Sequence, residues 1–378
     1  MTASNESNLG VPRDCQLDLL RAIAIVLVVF FYTIGMSPIH VPTLIMGAAY
    51  YGSYGVDLFF VISGWLIGGL YWRETLKFGD VQLCRFWLRR WLRTIPPYLV
   101  ALALAWLAVQ WQRDERFDLG YLFFAQNYYG RIPFFTVSWS LCVEEHFYLF
   151  LPLLLLVAVR LPRALIAAAF CCLMLTAPVC RLWQSFDGLD PEFGFEKTAT
   201  HLRMEGLLLG FWIAYLPLFL PAHWDWAKRS AARVMVISGI VFVAVQFLSP
   251  VWQYCVGFTV LALALTSLLV FCVGRYPSRL ASSSFVRSVA VASYSTYLTH
   301  ALMIHLSRKV AGNISGIVGD LAYFPIALGL ITAAGAGFYF GVERTSILMR
   351  DHWAPRRATP VAVKSDQSEQ RERGESTQ

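Results

Sequence analysis

Leu17–Ile34 reads LDLLRAIAIVLVVFFYTI, a run long and apolar enough to cross a bilayer that still carries Asp18, Arg21 and Tyr32. Asp18 and Arg21 stand three apart and share a helix face. Tyr32 follows Arg21 by eleven residues; at 100° per residue it returns to within about 20° of that face, about 16 Å further along the axis. One polar stripe therefore runs down an apolar rod. Ionisable groups inside a span face the bundle interior as a rule and mark a substrate or ion path. The plainer alternative is an Asp-Arg pair that snorkels to the interface, with Tyr32 as a packing residue.

The rest of the chain matches this opening. Of 378 residues, 57% are hydrophobic and only 15% charged, a balance that excludes an ordinary soluble domain and implies an all-α, polytopic membrane helix bundle. Net charge is +7, but the basic residues are clustered, and nucleic acid is not an expected partner. The polar stretch 1–16 leads into the first span without a small-residue cleavage signature, so the span is expected to remain as an uncleaved signal anchor. The eight cysteines show no C-x-x-C and no zinc spacing; they read as small buried hydrophobes, and no metal site is expected.

Ten apolar runs have the length of a span: 17–37, 52–71, 94–111, 137–159, 164–181, 201–220, 234–249, 252–273, 288–307 and 322–342. They divide the chain into a polar N-terminus at 1–16, a membrane domain at 17–342 and a tail at 343–378. Arg73, Lys77, Arg85, Arg89, Arg90, Arg93, Arg160, Arg163, Lys228, Arg229, Arg233, Arg275, Arg279 and Arg287 fall on the N-terminal side of the membrane, whereas the largest opposite loop holds only Arg113, Arg116 and Arg131. The positive-inside rule then puts both termini in the cytoplasm. Gly120 to Ser138 is too polar for a free span and too apolar for a plain loop, so it is expected to be a re-entrant or interfacial piece lining a cavity. Asp187 to Lys197 reads as an acidic loop, and the tail beyond about Pro355 as disordered. The absence of an internal repeat weighs against a secondary transporter.

Four segments carry candidate chemistry. Tyr54–Gly69, YGVDLFFVISGWLIGG, places Asp57 near a membrane end beside the small residues Ser63, Gly64 and Gly68, which fit close helix packing. Asp57 needs a partner, and Arg21 is a candidate. Cys84–Tyr98 sets Arg85, Arg89 and Arg93 at i, i+4, i+8 with Arg90 alongside. Guanidinium forks of this kind clamp phosphate oxygens, as in a nucleotide or coenzyme A, or touch anionic lipid headgroups; composition does not separate the two. Ser138–Tyr148 puts Glu144, Glu145 and His146 in a row within an apolar helix, where a carboxylate serves as general base or neutralises an arginine. Ala292–His300 is a serine- and tyrosine-rich stripe ending in His300, five residues from His305 and so not a metal pair with it.

Together these segments resemble the acyltransferase-3 family of membrane acyltransferases. The resemblance covers nearly the whole membrane region: LDxLRxxA at Leu17–Ala24, the GVDLFFVISGWLI run, F-W-x-R-R-x-x-R-x-x-P at Phe86–Pro96, W-S-L-x-V-E-E-x-F-Y at Trp139–Tyr148, Arg203–Gly210, and S-Y-S-x-Y-L-x-H at Ser293–His300. It implies about ten helices, an acyl-CoA donor such as acetyl-CoA bound from the cytoplasm, and O-acyl transfer to a glycan or other hydroxyl acceptor, with the bacterial inner membrane as the setting. In that reading Arg85, Arg89, Arg90 and Arg93 hold the donor phosphates, Asp18 and Arg21 shape the donor channel, and Asp57, Tyr98, Trp139 and Ser140 are structural or channel residues.

The chain departs from the family pattern at Tyr32, where a histidine, the presumed general base, is expected. A phenol of ordinary pKa near ~10 is mostly protonated at neutral pH. His300, Glu144 and Glu145 are the alternatives for proton removal; His40 lies beyond Pro38 and would have to fold back. The catalytic candidates are therefore Tyr32, Glu144, Glu145 and His300. The rival reading is a catalytically impaired family member that binds a lipid, glycan or partner protein.

Overall fold

The computed structural model describes residues 14–110, 116–129, 132–158, 162–186, 195–275, 278–314 and 316–357. The described residues form helices α1 (Cys15–Gly35), α2 (Thr43–Gly52), α3 (Gly55–Phe78), α4 (Leu83–Gln110), α5 (Trp139–Ala158), α6 (Arg163–Phe186), α7 (Phe195–Thr198), α8 (Glu205–Ile213), α9 (Leu216–Phe219), α10 (Pro221–Val245), α11 (Pro250–Val273), α12 (Ser284–Gly312), α13 (Gly316–Phe338) and α14 (Arg344–Trp353). A π turn, Tyr339–Glu343, joins α13 to α14. Local chemistry sets the ends. The Asp14 carboxylate accepts from the Gln16 N–H to cap α1, and the Ser283 hydroxyl accepts from the Val286 N–H to cap α12. Gly79, at φ 77°, closes α3 in the left-handed conformation, and Pro221 and Pro250 open α10 and α11.

Seven helical stretches among the described residues are long and apolar enough to cross a membrane: Cys15–Gly35, Thr43–Phe78, Leu83–Gln110, Thr136–Leu156, Ala168–Phe186, Pro250–Val273 and Gly316–Trp353. The chain is thus an all-helical, multi-pass integral membrane protein. The other three expected spans are also helical but of a different character. The run 201–220 divides into α8 and α9. The run 234–249 is the end of α10, whose earlier turns carry Asp225, Lys228, Arg229 and Arg233. The run 288–307 belongs to α12, where Ser, Thr, His, Arg and Lys dilute the apolar character. Arg113, Arg131, Arg160, most of the acidic loop and the tail from 358 lie outside the described residues.

Among the packed helix pairs are α12 with α13, α3 with α8 and α1 with α12. The α3–α8 contact is made by glycine, as the small residues of α3 predict. A Cβ on Gly64 would fall 2.1 Å from the Leu207 carbonyl oxygen, and one on Gly210 2.2 Å from that of Val61. Two backbones meet there with no flexible side chain to yield. Gly64→Ala is expected to cost at least ~1–3 kcal/mol through overpacking. Gly239→Ala in α10, whose Cβ would meet nothing within 4 Å, is the matched control, and thermal unfolding in detergent reads both.

The described residues of 120–138 form no long helix, only short 3-10 turns, as the composition predicts. Tyr121, Gln126 and Asn127 are buried there. The Tyr98 hydroxyl of α4 donates to the Tyr121 carbonyl at 2.8 Å and accepts from Gln126 Nε2 at 3.2 Å; Gln126 Nε2 also reaches Ser138 Oγ at 3.0 Å. Side chains thereby satisfy backbone that no helix does. The cysteines follow expectation only in part: Cys142 and Cys255 are buried, but Cys84, Cys171 and Cys172 are exposed.

Candidate active site

Two cavities lie one above the other along α1, α4 and α12. The smaller, about 110 Å³, is lined by Arg21 of α1, Arg90, Arg93 and Thr94 of α4, Ser140, Glu144 and Tyr148 of α5, and Ser293, Tyr294 and Tyr297 of α12. The larger, about 460 Å³, is lined further along the same helices by Tyr32 and Met36, by Ala101, Leu104, Ala105, Ala108 and Val109, by Leu298, Thr299, Ala301, Leu302, Ile304 and His305, and by Pro133–Val137. Arg21 and Tyr32, set on one face by their spacing, thus serve different chambers.

A run of ring contacts links the two chambers: Tyr32 of the larger, His300, which lines neither, and Tyr297 of the smaller. His300 is fully buried, and its ring lies edge-on to Tyr32 with centroids 4.9 Å apart. His300 Nδ1 is 2.7 Å from the Tyr297 carbonyl oxygen, so Nδ1 carries the proton and donates it there. That leaves Nε2 as the basic nitrogen, and it has no hydrogen-bond partner. Tyr297, which faces the small chamber, is held by Ser140 Oγ at 2.6 Å and by the Val137 carbonyl at 3.0 Å.

The four arginines of α4 do not act as one row. Relative to Arg85, a helix turns Arg89 by about 40°, Arg93 by about 80° and Arg90 by about 140°, so the row splits. Arg85 donates to the Pro355 carbonyl; Arg89 donates to the Ala354 carbonyl and meets Asp351 Oδ1 at 3.2 Å. Both are clasped by the chain after α14. Arg90 and Arg93 face the small chamber with Arg21.

Their counter-charges are Glu144 and a residue that motif reading missed. Glu144 accepts from Ser63 Oγ at 3.0 Å and from the Tyr148 hydroxyl at 2.7 Å, with Arg90 and Arg93 close enough to act on its charge. Glu343, on the π turn and 1% exposed, accepts from Ser295 Oγ at 2.5 Å and feels Arg93 and Arg21. Its only sequence signal is an acid at the very edge of the last apolar run. Glu145 lines neither chamber but accepts from Thr94 Oγ, a residue of the small chamber, at 2.7 Å through Oε1, while Oε2 has no partner.

The remaining candidates lie elsewhere. Asp57 pairs with Arg203 at 2.8 Å and not with Arg21, because the glycine contact of α3 with α8 brings Arg203 alongside. Trp139 lies under that same guanidinium, 5.0 Å from its ring centroid. A second buried pair, also missed by motif reading, adjoins it: Arg181 Nη1 and Nη2 reach Glu205 Oε2 and Oε1 at 2.9 and 2.7 Å, and Arg181 Nη2 reaches Thr259 Oγ1 at 2.8 Å. Asp18 is buried at the start of α1 without lining either chamber, and His40 is exposed.

A membrane bundle with an arginine-lined chamber, a half-paired histidine and a second chamber beyond it has the parts of a group-transfer enzyme. The chain belongs to the acyltransferase-domain family, whose model matches residues 16–340, as the sequence motifs indicate. It is 28% identical over 278 residues to the O-acetyltransferase OatA of Staphylococcus aureus, which covers 66% of this chain and 45% of that protein. It is 27% identical over 328 residues to the peptidoglycan O-acetyltransferase OatA of Listeria monocytogenes, covering 78% and 50%. The chain spans about half the length of these relatives. No solved structure matches it.

Proposed function

We propose that the protein moves an acetyl group from acetyl-CoA to a glycan hydroxyl at a bacterial plasma membrane, with donor and acceptor meeting at His300. The observation that carries this reading is His300 itself, a buried imidazole fixed by one nitrogen and unpartnered at the other, in ring contact with a wall residue of each chamber. Arg90 and Arg93, with Arg21, hold the donor's phosphates in the small chamber. The acceptor hydroxyl enters from the large chamber and its oxygen attacks the thioester carbonyl carbon while its proton passes to His300 Nε2. The carbon–sulfur bond breaks, and the departing thiolate takes the proton back. Holding both reactants in one dry layer supplies much of the acceleration. Tyr32 packs against the base and borders the acceptor.

Arg90→Ala and Arg93→Ala are expected each to raise the donor KM by roughly 10- to 100-fold, the loss of one charged hydrogen bond. Transfer of label from acetyl-CoA into envelope glycans by membranes containing each variant checks this. Unchanged donor affinity in both would remove the small chamber as the donor site.

A further inference from the structure

At one end of the acceptor chamber, its mouth in the reading given above, α12 carries basic side chains. His305 lines the chamber, and the face of α12 that forms its wall, Leu298, Ala301, Leu302 and His305, runs on one turn later as Arg308 and Lys309. Both lie close enough to His305 to act on its charge. Arg308 also neighbours Tyr323, whose hydroxyl donates at 2.9 Å to the Thr33 carbonyl next to Tyr32, so this cation stands where α12, α13 and the α1 wall meet. All three basic side chains are exposed. Among the described residues neither Arg308 nor Lys309 has a carboxylate partner. The donor chamber differs on this point, since Glu144 and Glu343 balance its arginines. Apart from Tyr32, Thr136 and Thr299, the rest of the large chamber is apolar and aromatic, as in most ligand pockets, which leaves recognition to few polar groups.

We propose that this mouth binds a negative charge on the acceptor. The substrate is then an anionic glycan, and the proposal rests on the transfer reaction given above. Arg308 and Lys309 follow His300 by eight and nine residues, a rise of about 12–14 Å along the helix. The carboxylate or phosphate therefore sits about that far from the hydroxyl that is acylated.

The test supplies radiolabelled acetyl-CoA to membranes containing the full chain and host envelope glycans. The glycans are then digested with glycosidases and the labelled oligosaccharides passed over an anion exchanger. Label in the retained fraction is expected, and phosphatase treatment separates a phosphate from a carboxylate as its source. Arg308→Gln with Lys309→Gln is expected to lower that label roughly 10-fold, and the charge-keeping Arg308→Lys with Lys309→Arg to restore it. Both positions are exposed, and the charge-keeping pair controls for folding. Label in the unretained fraction, or a neutral pair labelled as well as the natural protein, overturns the inference and leaves acetyl transfer standing. Label nowhere, with donor still bound, overturns acetyl transfer itself and the anionic acceptor with it.

Discussion

His300→Asn is expected to lower acetyl transfer by about 10²- to 10⁴-fold, the usual contribution of a general base, with donor binding unchanged. Asparagine is the informative replacement because its amide N–H can still donate to the Tyr297 carbonyl, as Nδ1 does now, while the basic nitrogen disappears. A structural role for the imidazole predicts a stable, active Asn variant, and the two readings separate in one assay. Tyr32→Phe completes the comparison. If His300 is the base, removing the phenol oxygen changes the rate by only a few-fold; a collapse of transfer in Tyr32→Phe with His300 intact would move the proton chemistry to the phenol. The measurement is single-turnover release of free coenzyme A from preloaded membranes, which reads chemistry apart from donor affinity.

The second large effect concerns stability. Arg181 is fully buried and bonded to Glu205, Thr259 and the Leu202 carbonyl, tying α6, α8 and α11 together. Arg181→Leu or Glu205→Leu alone leaves one charge buried without its partner, an expected loss of about 3–5 kcal/mol. The double change Arg181→Met with Glu205→Leu removes both charges and is expected to recover most of that loss, because desolvating an ion pair cancels much of its attraction. Melting temperatures in detergent for the three variants decide the point. A double variant as unstable as the singles would mean that the hydrogen bonds to Thr259 and Leu202, and not the uncompensated charge, carry the cost.

The fold was legible from Leu17 onward because the bilayer makes apolar length a reliable signal. The irregular character of the described residues in 120–138 and the close packing of the α3 glycines are legible for the same reason, since each is a local pattern with a local cause. What the sequence hid depended on which helix faces meet. Four arginines in one short run read as one clamp, and the turn of the helix divides them between the chain after α14 and a chamber. Asp57 was assigned a partner from the neighbouring span, whereas the glycines of α3 and α8 deliver Arg203. Glu343 falls one residue past the last apolar run, yet the π turn returns it to the centre of the bundle. His300 stood among the candidates, but its tautomer depends on a carbonyl three residues back, which no motif describes.

The two chambers lie one beyond the other along the same helices, and the touching rings of Tyr32, His300 and Tyr297 run from the wall of one to the wall of the other. That layer of rings has a second duty, electrical insulation. A charge crossing a membrane under 100 mV releases about 2.3 kcal/mol, so any water thread past the rings would be a short circuit for the cell. On the proposed reading, any opening that lets an acyl group reach its acceptor here is capped in width by the leak it would make. Enlarging this layer to pass bulkier acyl groups trades substrate range directly against the voltage that the membrane can hold.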